Sequence, residues 1–426
     1  MFTPANHINK YLPAAILYFF LNAFLLPVGL LYTTLLTPFL LIWVARYRNI
    51  RPTLLYFLML IPFIIAHSIL EVDWAYYGYS LALSFSVFVF GLAFYQYVLS
   101  CRSLREIFQS ILLINAFMTV IALIALPVPG LREFFWYNKT LSRGIEGIER
   151  LKMLTYEPSY YSIVLTPIAI YYLLKAIRNE LPQRATYLAL VLIPLFLSMS
   201  FGVILGIALS LLLLLIIRGG GQLRRYGVLR RVSGWALLLL AVAVVAFLSF
   251  PDNFIIRRLD NILAGRDSSF TGRTLDSFIL SLDIVHKKSL FWGTGFGQFK
   301  LLGVARFREF YNSNRYTIHD VVIPNSIGDL LGTLGLFGVA IKLFIEAYFF
   351  FRTKVFRNDY RLVLFLFIFV YQFTGSFISN IAEYVIWILA FTPDLFPEFQ
   401  NPAHETEHDT LRQSDENTLY SPGLVV

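Results

Sequence analysis

Cysteine is almost absent: Cys101 stands alone among 426 residues, between apolar runs and beside Arg102 and Arg105. A single thiol excludes an intrachain disulfide, and its setting reads as packing rather than redox chemistry. Charge is scarce as well. Only 14% of residues are charged, against 58% hydrophobic and 17% aromatic, and the mean hydropathy of +0.67 is far from that of a soluble domain. No small-residue cleavage site follows the first apolar run after Lys10, which merges into further apolar sequence. That run is expected to act as the insertion signal of a polytopic membrane protein. No repeat of fixed period and no soluble second domain is evident. The short alternating segments of a closed barrel are missing too, so the expected fold is all-α, a polytopic helical bundle.

About twelve apolar runs approach the length needed to cross a hydrocarbon core of roughly 30 Å. They fall near 11–28, 29–45, 53–70, 80–99, 107–126, 158–175, 186–199, 200–217, 234–250, 326–351, 361–377 and 381–392. Alternate connections carry the positive charge of the short loops: Arg46, Arg48 and Arg51; Arg102 and Arg105; Lys175, Arg178 and Arg184; Arg218, Arg224, Arg225, Arg230 and Arg231; Arg352, Lys354, Arg357 and Arg361. The opposite short connections, 71–79 and 379–383, have no Lys or Arg. The positive-inside rule therefore predicts that the first set and both termini are cytoplasmic.

Two longer connections then fall outside, near 127–157 and 251–325, and both are basic. Residues 1–392 are expected to form one transmembrane domain. From 393 to 426 the composition turns acidic, with Glu398, Glu405, Glu407 and Asp409 among its charges, and a disordered cytoplasmic tail is expected. The net charge of +9 is thus shared between cytoplasmic anchors, which suit contact with anionic lipid, and the two outer loops. Outer arginines either solvate a loop and pair with Asp260, Asp267, Asp276 and Asp283, or grip a phosphate, whose oxygens match the guanidinium fork. Nucleic acid is not an expected partner for an outer surface.

Two local patterns bear on that choice. In the first, Arg150 precedes Tyr156-Glu157-Pro158-Ser159 at the mouth of the sixth run. Pro158 suits the first turn of a helix, so Glu157 sits at its start, either as a cap or as a general base. The second pattern runs from Thr271-Gly272-Arg273 through Gly293-Thr294-Gly295-Phe296-Gly297 to Pro324-Asn325-Ser326 and Leu334-Gly335-Leu336-Phe337-Gly338. The glycine spacing is wrong for a dinucleotide fingerprint and suits a tight turn or a close backbone approach. Asn325 reads as a helix cap or a ligand, and Lys342 with Glu346 as an ion pair with the lysine snorkelling. Trp74, Tyr76, Tyr77 and Tyr79 read as interfacial aromatics.

In combination and order, these residues resemble the bacterial O-antigen polymerase and O-antigen ligase superfamily, and the Glu157-Pro158-Ser159 segment after an upstream arginine resembles its polymerase branch. Ligases carry His directly before the Asn that opens the following helix; here Pro324 stands there and His319 lies five residues upstream. The resemblance implies a membrane glycosyltransferase at the outer face of the bacterial inner membrane. Donor and acceptor would both be undecaprenyl-pyrophosphate-linked glycans, with a chain-length regulator and a flippase as working partners. It also implies Glu157 as base, Arg150 and Arg273 as pyrophosphate clamps, His319 as a second base or ligand, and Arg143, Arg266 and Asn325 as substrate contacts. No cofactor is expected. Glu71-Val72-Asp73 has the form of a metal-binding pair, but with no further hard ligands at suitable spacing the expectation is metal-free catalysis. The alternatives are a ligase acting on lipid A core, and a lipid-linked oligosaccharide flippase. A flippase would place charges within its spans and show repeated halves.

Overall fold

A computed structural model describes residues 10–27, 30–47, 51–101, 103–138, 148–225, 254–265 and 267–401. Among them the chain is helical apart from one antiparallel pair, β1 (Trp136–Tyr137) with β2 (Arg150–Leu151). Backbone groups in lipid have no water to bond, so the apolar runs satisfy their own amides as helices. The long ones are α1 (Arg51–Ile69), α2 (Trp74–Ser100), α3 (Leu104–Ala125), α4 (Pro158–Ile177) and α5 (Phe201–Arg225). There follow α6 (Phe254–Leu263), α7 (Ser268–Arg273), α8 (Leu275–Val285) and α9 (Gln298–Phe310), before α10 (Ser326–Arg352), α11 (Asp359–Tyr371) and α12 (Ile381–Phe391).

Six helices among the described residues are long and apolar enough to cross a membrane: α1 to α4, the Phe201–Arg218 part of α5, and α10. The expected runs at 11–28, 29–45, 186–199 and 381–392 appear as shorter apolar helices, Leu12–Leu21, Thr37–Arg46, Arg184–Ser198 and α12. The run at 361–377 gives the 13-residue α11, and that at 234–250 lies outside the described residues. Buried over 83% of its apolar window, α4 is the central post. Around it pack α5, α11, α12 and Arg184–Ser198.

The sequence reads α10 as one span, but it is two half-helices. Lys342 Nζ lies 3.1 Å from Ser326 Oγ, whereas sixteen residues of straight helix would separate them by about 24 Å. The chain reverses at Gly335, whose φ of 66° is open to glycine. The glycine loop supplies what the broken helix lacks. Thr294 and Gly295 donate their amides to Gly332 O and Thr333 O at 3.0 Å, while Leu336 and Phe337 donate to Leu290 O and Phe291 O. A helix break in lipid is tolerated because these neighbours satisfy the freed groups. Gly293 stands so close that a Cβ there would be 2.5 Å from Gly335 N.

Residues 254–265 and 267–325 are therefore not an extended loop. Leu280, Ile284, Phe299, Phe307, Val321 and Ile323 give them a small core of their own. The polar sequence hid this because each short helix buries only one stripe. At the arginine-rich face, Arg178 and Arg218 share Asp359 at 2.6 and 2.7 Å, and Arg105 pairs with Glu398 at 2.7 Å. Phe396 and Phe399 are buried against Tyr171 and Tyr360. Packing thus continues to Asn401, eight residues past the expected start of the tail, because two phenylalanines and Glu398 find partners there. The remaining tail, 402–426, lies outside the described residues.

Candidate functional site

Glu157 occupies the N-cap position of α4 with extended backbone, but its side chain caps no amide. Its Oε1 instead accepts the Ser159 hydroxyl, and Thr155 Oγ1 fixes its carbonyl at 3.0 Å. The carboxylate is half-buried. Pro158 starts the helix without wasting an amide, which is what delivers Glu157 to its mouth.

Arg150 comes from β2, paired in register with Tyr137, and its guanidinium carbon lies 5.0 Å from the centre of that ring. Its Nε is buried without a hydrogen-bond partner. Burial pulls its pKa below the ordinary value; Tyr137 opposes this, Arg258 adds to it, Glu157 opposes it and Arg273 adds to it again. A guanidinium remains charged under such shifts.

Arg273 ends α7. Asp267 and Asp276, its candidate partners by sequence, are taken by others: Arg258 Nε bonds Asp267 at 3.1 Å and Tyr311 donates to Asp276 at 3.1 Å. Among the described residues Arg273 makes no ion pair, and its charge and that of Glu157 both act on the Tyr371 hydroxyl. Glu157 and Arg273, from two separate segments of the chain, thus both lie near enough to act on the charge of Arg150.

Arg258 completes the group and was not singled out by sequence. It sits over the Phe201 ring at 4.7 Å, is 9% exposed, and leaves Nη1 buried without a partner. Burial lowers its pKa, with the Asp267 carboxylate opposing and Arg273 adding to the effect. A signal was present: Phe254, Arg258 and Ile262 share one helical stripe, and an arginine on an apolar stripe is one that will be buried.

The other expected residues lie elsewhere. Asn325 is fully buried. Its Oδ1 caps α10 by accepting Gly328 N at 2.8 Å, and its Nδ2 donates to Arg273 O at 2.8 Å and to Phe373 O. All three contacts are with backbone, so it positions Arg273 rather than facing a substrate. His319 is exposed, between α9 and α10. Arg143 and Arg266 lie outside the described residues. Asp73 caps α2 through Ala75 N and Tyr76 N, which occupies the acidic pair that resembled a metal site. Among the described residues no three His, Cys, Asp or Glu side chains are grouped to hold a metal. Trp74, Tyr76 and Tyr79 are exposed, while Tyr77 is buried against His67. Lys342 does not snorkel: its nearest acid is Glu383 at 2.6 Å, with Glu346 at 4.0 Å.

Chemically, the arrangement is a carboxylate, Glu157, whose charge acts on Arg150, with Arg258 and Arg273 acting on the same guanidinium; Arg150 and Arg258 hold buried N–H groups in reserve. An unmet buried donor costs about 1–3 kcal/mol, and a phosphate oxygen would satisfy it with a charge-assisted bond. No protein-family profile and no curated protein matches the chain.

Proposed function

We propose that the chain is a metal-independent membrane glycosyltransferase that polymerises undecaprenyl-pyrophosphate-linked oligosaccharide repeat units into O-antigen or a related surface polysaccharide. The reaction would take place at the outer face of a bacterial inner membrane, with both termini cytoplasmic. The observation that carries this reading is the cluster of Arg150, Arg258 and Arg273, in which Glu157 and the other two arginines lie near enough to act on the charge of Arg150, and Arg150 and Arg258 keep buried guanidinium N–H groups with no protein acceptor. The motif resemblance supplies the substrate class.

In the proposed step an acceptor sugar hydroxyl attacks the anomeric carbon of the donor and gives its proton to Glu157. The bond from that carbon to the pyrophosphate oxygen breaks, and its electron pair leaves on the lipid pyrophosphate, gripped by the arginines. Pyrophosphate is a competent leaving group, so no general acid is required. Glu157 contributes base catalysis, about 10²- to 10⁴-fold in comparable sites. The arginines stabilise charge that grows toward the transition state, about 3–4 kcal/mol for a well-placed donor.

The deciding experiment gives purified protein in lipid a single undecaprenyl-pyrophosphate repeat unit. A ladder of longer lipid-linked glycans is expected. Product formed only on added lipid A core would replace the reading with a ligase, and transbilayer movement without covalent product would replace it with a flippase.

A further inference from the structure

A second polar cluster lies inside the bundle, built by α10, α11 and α12. Lys342 Nζ is 2.6 Å from Glu383 Oε1, 3.1 Å from Ser326 Oγ and 4.0 Å from Glu346 Oε1. From α11, Gln372 Nε2 donates to Glu346 Oε2 at 2.9 Å. Glu383 and Gln372 are fully buried and Glu346 is 4% exposed. Lys342 lies ten residues, about 15 Å of helix, from Arg352 at the arginine-rich face. That is about half the thickness of a hydrocarbon core.

This cluster is incomplete in both charge and hydrogen bonds. One ammonium faces two carboxylates, and the nearby Asp329, held by Ile378 N at 3.1 Å, adds a third acid whose other cationic neighbour is Lys300 on α9. Three buried oxygens have no donor: Glu346 Oε1, Glu383 Oε2 and Gln372 Oε1. The glutamine is the telling member. Its amide is oriented by the bond to Glu346, and the oxygen so fixed is an acceptor with nothing to accept. Excess negative charge away from water costs several kcal/mol per ion unless it is compensated. A ligand that compensates it must carry one positive charge, take oxygen ligands and be small enough for a packed interior.

We propose that Glu346, Gln372 and Glu383 form a binding site for one small monovalent cation, a proton or an alkali-metal ion, held beside the tethered ammonium of Lys342. The site stands independently of the glycosyltransferase reading, since none of its residues is in the arginine cluster. It is nevertheless joined to it, because Ser326, which bonds both Lys342 and Glu383, follows the Asn325 that holds Arg273 O.

The test uses the full chain in phosphatidylcholine nanodiscs, with choline, sodium or potassium chloride at equal ionic strength. If the occupant is an alkali ion, sodium or potassium raises the unfolding midpoint by roughly 2–5 °C over choline. If it is a proton, no salt differs from choline, and the infrared spectrum at pH 8 contains a protonated-carboxyl band. In Glu346→Gln, which removes the surplus charge at nearly constant shape, the salt response or the band disappears. Should that variant not fold, Gln372→Leu deletes the orphan amide oxygen without changing charge and should weaken the same response. A wild-type protein with neither salt response nor band overturns the proposal, and so does a response that persists unchanged in the variants.

Discussion

Asn325 Nδ2 holds the backbone oxygen of Arg273 at 2.8 Å across 52 residues of sequence. Through that one amide the N-terminus of α10 fixes the end of α7, and so the backbone from which the Arg273 side chain extends. Asn325→Asp keeps the acceptor for Gly328 N and loses the donor to Arg273 O. Because Asn325 is fully buried, that change sets a carboxylate oxygen against Arg273 O and Phe373 O, so it should lower the unfolding midpoint more than Asn325→Ala, which loses a helix cap worth about 1 kcal/mol. Both should weaken binding of a lipid pyrophosphate to a similar degree, measured by tryptophan quenching. A smaller loss in Asn325→Asp than in Asn325→Ala would show that the two carbonyls do not depend on the Asn325 donor.

The three arginines should not be interchangeable with lysine. Arg150→Lys, Arg258→Lys and Arg273→Lys keep the charge but lose the planar fork. Each alanine variant is expected to cut the rate of ladder formation by about 10²-fold or more, with lysine restoring only a small part. Glu157→Gln should abolish the ladder while the protein remains in the membrane. Normal ladders from Glu157→Gln and Arg273→Ala would remove these residues from the reaction.

Much of this arrangement was legible in the sequence, and the parts that were not have physical reasons. Pro158 announced the start of α4, and the glycines at 293, 295 and 297 announced a close backbone approach. The partner of that approach was not readable, because the break at Gly335 interrupts no hydrophobic run: Leu334 and Leu336 flank it. Hydropathy measures composition along a segment and cannot see it turn back. Arg258 was hidden among the ten lysines and arginines of 251–325, since only helical phase separates it from its neighbour Arg257. Glu383 was hidden for the opposite reason, as an isolated acid at the edge of an apolar run whose lysine lies 41 residues away.

The glycine loop gives a graded test of that break. A Cβ on Gly293 would meet backbone of Gly335 and Thr333 at 2.5 Å, at a φ of 77°. At Gly295 the nearest atoms are side-chain carbons, Val72 Cγ1 at 3.2 Å first, with φ 99°. Backbone cannot move aside as a side chain can, so Gly293→Ala should cost more than the roughly 1–3 kcal/mol of ordinary overpacking or strain. Gly295→Ala should stay near that range. Thermal unfolding of the two variants side by side gives the order.

Asp320 offers a pH readout in the segment between α9 and α10. Hydrogen bonds from the Thr317 hydroxyl and amide hold its carboxyl below its ordinary value. A depressed carboxylate adds its stability above the unfolded-state pKa and loses it as pH falls through the folded-state one. The local turn should therefore loosen only on the acid side. Thr317→Val should raise the Asp320 pKa toward the ordinary carboxylate value, as followed by NMR of labelled aspartate; an unmoved pKa would mean the hydroxyl is not its main cause.

The buried pair of Lys342 and Glu383 makes the sharpest stability prediction. Lys342→Met leaves Glu383, fully buried, without its cation, and breaking one side of such a pair costs about 3–5 kcal/mol. Glu383→Gln in the same chain removes the stranded charge, so the double variant should recover most of that loss. A double variant no better than Lys342→Met alone would mean that the lysine acts through Ser326 rather than through charge. The cycle separates the two because Ser326 Oγ touches both partners, and only the charge term vanishes when both are neutral.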